Sequence, residues 1–151
     1  MERSDDRILV THAGSLPRPA DLLAEVQASQ RGDAVDRQGH AEHLRDAVID
    51  VVRRQVEHGI DIVSDGELSK PSFLSYVSDR LGGFEPVERT PGNPWAASRD
   101  ALAFPAYYKA PRDLSIFRHA VCTGPVTYAG HAALQADLDN LKAAARQAGV
   151  E

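Results

Sequence analysis

Cysteine is nearly absent. Cys122 is the only one, so no intrachain disulfide can form and a secreted scaffold held by disulfides is excluded. Long apolar runs are missing too. The apolar runs, such as Ala47-Val48-Ile49 and Ile62-Val63, are a few residues long and fall far short of the ~20 a spanning helix needs. The opening stretch, MERSDDRILV, contains no apolar segment of signal-peptide length, which sets the expectation of a soluble, cytoplasmic chain with no membrane partner. Runs of Lys and Arg are also lacking, and the net charge is -5, so no basic face is available for a nucleic-acid backbone.

What remains is globular. A chain of 151 residues with 42% apolar and 26% charged residues can bury one sizeable core. The β-prone run over residues 8–12 predicts a first strand, and the Gly and Pro residues of 13–19 predict a loop. A helix over 20–30 follows, stopped at Gly32-Asp33. The clearest helix spans 36–58, where Leu44, Val48, Val51, Val52 and Val56 recur at spacings of three and four, and Gly59 stands where a left-handed cap is favoured. Residues 60–64 predict a second strand, and 72–81 a third helix. Residues 82–115 are rich in Gly and Pro and read as an irregular insertion, with room for a hairpin. A third strand over 117–122, a loop over 124–127 and a helix over 132–148 close the order, the last with Leu134, Leu138 and Leu141 on one stripe. Alternation of this kind belongs to the α/β class.

Three strand ends carry polar residues, and in a parallel barrel all three face one mouth. The first is Thr11-His12-Ala13-Gly14-Ser15-Leu16-Pro17-Arg18-Pro19, whose glycine permits close backbone approach and whose serine offers a hydroxyl and an N–H to an anionic or zwitterionic ligand; it reads equally as a capped turn. The second, Asp65-Gly66-Glu67, sets two carboxylates two residues apart, suited to an ammonium group or proton transfer, or to capping a turn with the glutamate in solvent. The third runs from Cys122 to Thr127. Cys122 has too few companions for a zinc site and is expected to be a buried, inert thiol. His40 and His43 are expected on a solvated helical face. Trp95, Tyr107 and Tyr108 are expected to anchor the insertion, with stacking on a flat ligand as the other option.

Together the segments T-H-A-G-S-L-P-R-P, H-G-I-D-I-V-S-D-G-E and T-G-P-V-T-Y resemble, in order, the catalytic barrel of the cobalamin-independent methionine synthase family, including its shorter relatives such as the epoxyalkane:coenzyme M transferases. The resemblance implies a (β/α)8 TIM-barrel type fold, here incomplete, with residues 1–151 forming about the first three βα units. It implies S-alkylation, in which zinc holds homocysteine or a related thiol as thiolate and a folate is the possible methyl donor. It places His12, Ala13, Gly14, Ser15, Asp65, Glu67 and Thr127 in substrate binding, with no catalytic or metal-ligating residue in this chain.

Zinc is therefore expected only in a complete enzyme, with ligands supplied from outside these residues. The corresponding expectation is a partner: a second chain completing the barrel, a missing C-terminal part, or a homo-oligomer. The rival reading is a non-catalytic truncated barrel that binds a small molecule or a partner chain.

Overall fold

The structure is a computed structural model that describes residues 4–87, 97–109 and 120–150. Helix α1 (Ala20–Arg31) begins directly after Pro19 and ends at Gly32, whose φ of 85° lets its N–H reach back to the carbonyls of Ala28 and Ser29. Helix α2 (Arg37–Glu57) is capped by the Asp36 carboxylate, which accepts from the Gln38 N–H at 3.1 Å. Helix α3 (Phe73–Arg80) is capped by Ser72 in the same way. Strand β1 (Leu81–Pro86), the short helices α4 (Arg99–Ala103) and α5 (Pro105–Lys109), strand β2 (Ala120–Tyr128) and helix α6 (His131–Gln147) follow.

The core lies along one face of α2. Ala47, Val48 and Val52 meet Leu22 of α1, Leu68 and Ala144 of α6, all buried, with Leu44, Val51 and Leu141 packed around them. Each fully buried Leu or Val contributes about 1.5–3 kcal/mol relative to exposure. A second anchor ties α3 to α6. The Arg80 guanidinium donates to Asp137 at 2.8 Å and to the Gly130 carbonyl at 3.3 Å, with the Tyr76 ring centroid 4.8 Å from its carbon.

The strand regions depart from the sequence expectation. Residues 8–12 and 60–64 form no extended ladder; they meet in a single parallel bridge, Thr11 with Ile62. The Val10 carbonyl accepts from the N–H groups of Asp61 and Ile62, and the Thr11 hydroxyl donates to the Ile62 carbonyl. Parallel strands are normally buried on both faces. Here Ile8, Val10 and Ile62 stay 86%, 47% and 48% exposed, and the pairing extends no further.

The third strand differs in extent and in direction. Residues 117–119 of the expected strand lie outside the described residues. From Ala120 the strand continues through 124–127, the expected loop, and pairs antiparallel with β1. Gly82 pairs with Thr127 and Phe84 with Cys122, so Gly83 alone stands opposite residues 123–126. That bulge accommodates Pro125, which has no N–H to give to a ladder. Gly83 makes the crossing possible: its φ is 86°, and a side chain there would meet the Pro125 carbonyl oxygen at 2.5 Å. The described residues thus form one parallel bridge and one two-stranded antiparallel sheet, not a barrel. Helix α6 packs on α2, and while Leu141 of its stripe reaches the core, Leu134 and Leu138 each remain 39% exposed.

Candidate substrate-binding site

Because Thr11 and Ile62 run parallel, the loops that follow them leave from the same end and meet. The Leu16 N–H donates to the Gly66 carbonyl at 2.9 Å. Gly66 has a φ of 63°, and a Cβ there would stand 3.0 Å from that of Leu16, so glycine is needed both for the turn and for the approach. One residue on, the Ser15 hydroxyl donates to Glu67 Oε2 at 2.6 Å. Glu67 is itself left-handed, with a φ of 56°, the one such residue other than glycine among the described residues. A non-glycine residue in this region costs on the order of 1–3 kcal/mol and persists only where its surroundings enforce it.

Three sets of bonds do so. Asp65 Oδ1 accepts from the Glu67 N–H at 3.0 Å, and the Glu67 carbonyl accepts from the Lys70 N–H at 3.0 Å. Asp65 Oδ2 also holds the Lys70 ammonium at 2.9 Å. The half-buried Arg18 guanidinium donates to the carbonyls of Leu68 at 3.0 Å, of Glu67 at 2.7 Å and of Lys70. Burial lowers the Arg18 pKa, partly offset by the Glu67 charge. Behind the loop, the buried Gln55 side chain accepts from the Ser64 N–H at 3.0 Å and donates to the Ser64 carbonyl at 2.8 Å, so α2 sets the strand end from which Asp65 departs.

A carboxylate and a hydroxyl thus stand side by side, Glu67 half-buried and Ser15 exposed. Among the described residues Glu67 Oε1 has no hydrogen-bond partner. Such a pair suits a small ligand that carries an ammonium group. Gly14, at a φ of 93° with open space around it, leaves the adjoining backbone accessible. His12 is half-buried, with Nε2 shielded and without a hydrogen-bond partner among the described residues. Its ring borders a cavity of about 580 Å³ lined also by Leu16, Arg18, Val51, Gln55 and Leu68.

Comparison with known proteins finds partial similarity. No protein-family model matches the chain. It is 36% identical over 75 residues to the methionine synthase of Sulfolobus acidocaldarius, covering 50% of this chain and 22% of that protein. To the methionine synthase of Pyrococcus furiosus it is 34% identical over 97 residues, covering 60% and 28%. To the 5-methyltetrahydropteroyltriglutamate–homocysteine methyltransferase of Vibrio cholerae it is 27% identical over 78 residues, covering 52% and 10%. Over about half its length the chain is similar to methionine synthases. Its matches span between a tenth and somewhat over a quarter of their length.

Of the residues the sequence singled out, Ser15 and Glu67 are joined directly, with Ala13 and Gly14 in the adjoining loop. Asp65 binds the Glu67 N–H and Lys70, shaping the turn. Thr127 lies in β2 opposite Gly82 and is not a hydrogen-bond partner of Ser15 or Glu67. Cys122 is exposed, not buried as expected, with its Sγ 3.4 Å from the Gly124 carbonyl. His40 and His43 are not merely solvated: their Nδ1 atoms contact Glu25 of α1 at 2.8 and 2.6 Å. Tyr107 and Tyr108 stack edge-on at 5.2 Å with Tyr107 62% exposed, while Trp95 lies outside the described residues. Sequence reasoning missed Arg18, Gln55 and Lys70. The signal for Arg18 was weak because its partners are carbonyls, which any residue carries.

Proposed function

We propose that this chain is the substrate-binding segment of a thiol methyl- or alkyltransferase like the methionine synthases, with homocysteine or a related amino-acid thiol as acceptor. The observation that carries the reading is the Ser15–Glu67 pair at 2.6 Å, built from two loops that the parallel bridge brings together. Glu67 would take the substrate ammonium in a charge-assisted hydrogen bond. The exposed backbone of Ala13 and Gly14 and the Ser15 hydroxyl would orient the carboxylate end, leaving the thiol free for attack on a methyl or alkyl donor. A folate is the donor class suggested by the methyltransferase relative's name.

Zinc does not fit the described residues as a resident metal, since no three His, Cys, Asp or Glu side chains among them converge on one point. No step is therefore assigned to it here. In this reading the thiol-activating ligands and the remaining strands come from polypeptide beyond these residues, in a continuation or a second chain. One observation supports such a partner: Ile8, Val10 and Ile62 form an uncovered apolar flank on the parallel pair. The location is proposed to be the cytoplasm; among the described residues, no helix is long and apolar enough to cross a membrane.

L-homocysteine titrated into the isotope-labelled chain tests the site. Shifts should appear at Gly14, Ser15 and Glu67, and Glu67→Gln should weaken affinity about tenfold or more while far-UV circular dichroism is unchanged. Unaltered affinity in that variant would sink the reading. Binding of another small molecule at these residues, with no transfer activity once the chain is joined to its partner, would favour the non-catalytic alternative.

A further inference from the structure

Glu67 can present its carboxylate beside Ser15 only while its backbone stays left-handed, at a φ of 56°. Asp65 and Lys70 shape that turn from within. Neither connects it to the loop that carries Ser15. The Leu16–Gly66 bond does connect the two loops, but through a single N–H. Arg18 does so with a guanidinium. It lies three residues after Ser15, and its donors end on three carbonyls of the opposite loop, those of Glu67, Leu68 and Lys70. These carbonyls bracket the residues just after the carboxylate-bearing position. A planar, multi-donor fork suits such a set of acceptors, whereas an ammonium is a point charge that cannot span them.

We propose that Arg18 is the positioning residue of this site: through the carbonyls of Glu67, Leu68 and Lys70 it fixes the Glu67 backbone and aims the carboxylate at the ligand that Ser15 shares. The assignment rests on the amino-acid-binding reading for its ligand, and on the hydrogen bonds alone for its geometry. Arg18 itself touches no substrate. Its guanidinium is committed to backbone carbonyls, while the Ser15 hydroxyl and the Glu67 carboxylate bond to each other. Replacement should thus change how the carboxylate is presented, beyond any general loss of stability.

The test uses the full labelled chain with Arg18→Gln and Arg18→Lys, two readouts and L-homocysteine as probe. The first readout is the strong intraresidue amide-to-Hα Overhauser effect that marks a left-handed Glu67, which needs no ligand. The second is the dissociation constant. Arg18→Gln should lose the left-handed signature and weaken binding about tenfold, with Arg18→Lys between it and the parent. Guanidinium at millimolar concentration should restore part of the affinity to an Arg18→Ala chain. If Glu67 keeps its signature in Arg18→Gln, the assignment is overturned. A folded Arg18→Gln chain with a lower melting temperature and parental affinity overturns it too, since that is what a purely structural arginine would give. If the parent chain binds no homocysteine while Glu67 still changes conformation on losing Arg18, the clamp stands and the amino-acid reading falls. Should Arg18→Gln not fold, Arg18→Lys carries both readouts.

Discussion

Two regions of this chain are held together by opposite means. Residues 7–70 are joined by bonds that span about fifty positions, mostly from side chain to backbone: Arg18 to the carbonyls of Glu67 and Leu68, Thr11 to the Ile62 carbonyl, and Asp61 to the Val10 N–H. Strands β1 and β2 rely on a two-stranded antiparallel ladder, and Val121, Val126 and Tyr128 remain 46%, 56% and 43% exposed. The first arrangement holds two short loops in one relative geometry, as a ligand site requires. A two-stranded ladder alone is only marginally stable, and here it depends on Arg80 and Asp137 beside it. Precision therefore resides in the first region and dependence in the second.

The largest effect should come from that dependence. Arg80 and Asp137 pair at 2.8 Å with side chains only 10% and 12% exposed, so removing one partner strands a buried charge. Asp137→Ala should lower unfolding free energy by about 3 kcal/mol in urea titration. If it costs no more than a surface pair, the ladder stands without its anchor and the contrast between the regions fails.

Next come two of the left-handed glycines, Gly66 in the first region and Gly83 in the second. Gly83→Ala would press on the Pro125 carbonyl, and Gly66→Ala on the Leu16 side chain. Each should destabilise by about 2 kcal/mol, but only Gly66→Ala should alter the amide shifts of Ser15 and Glu67. Equal disturbance of both loops by Gly83→Ala would mean that the regions are coupled more tightly than described.

Gln55→Leu should cost on the order of 1–3 kcal/mol, because the Ser64 N–H and carbonyl each lose their partner beside a buried apolar side chain. Hydrogen exchange should quicken at Ser64 first.

The smallest effects are pH-dependent. The Arg7 guanidinium, helped by the Val10 N–H, holds the Asp61 carboxyl at about 2. A depressed carboxyl contributes stability that is complete above its unfolded value and lost as the pH falls through the folded one. The unfolding midpoint should therefore decline between about pH 4 and pH 2, and Asp61→Asn should flatten that limb. At the α1–α2 contact the signs differ between partners. His40 first, and then His43, hold Glu25 below 4.5, while the Glu25 carboxylate raises His43 above 6.5. Glu25 loses its contribution as the pH falls below its ordinary value, and His43 loses its own as the pH rises past its raised one. The contact is strongest between those ordinary values, and His43→Gln should remove a shallow maximum there.

Much of this was legible beforehand where the determinants are local. The helix expected over 36–58 is observed as Arg37–Glu57, because its apolar residues recur on one face, Asp36 caps one end and Gly59 follows the other. The two loop motifs of the candidate site also stand out as strings of residue types. Their mutual geometry does not, since the Ser15–Glu67 bond bridges fifty-two positions and Arg18 is aimed at carbonyls that have no sequence identity.

Local pattern by itself thus determined α1, α2, α3 and α6 and the chemistry of the two loops, because periodicity and turn preference act within a few residues, whereas α4 and α5 fall in the stretch read as irregular. Tertiary structure alone decided the direction of residues 120–128, which run antiparallel to β1, with the Pro125 bulge accommodated by Gly83 at a φ of 86°. It also decided that Cys122 faces solvent, that His40 and His43 close on Glu25, and that Arg18 ties two loops into one site. In each case the deciding contact joins positions far apart in sequence, where only the folded path of the backbone brings donor and acceptor within reach.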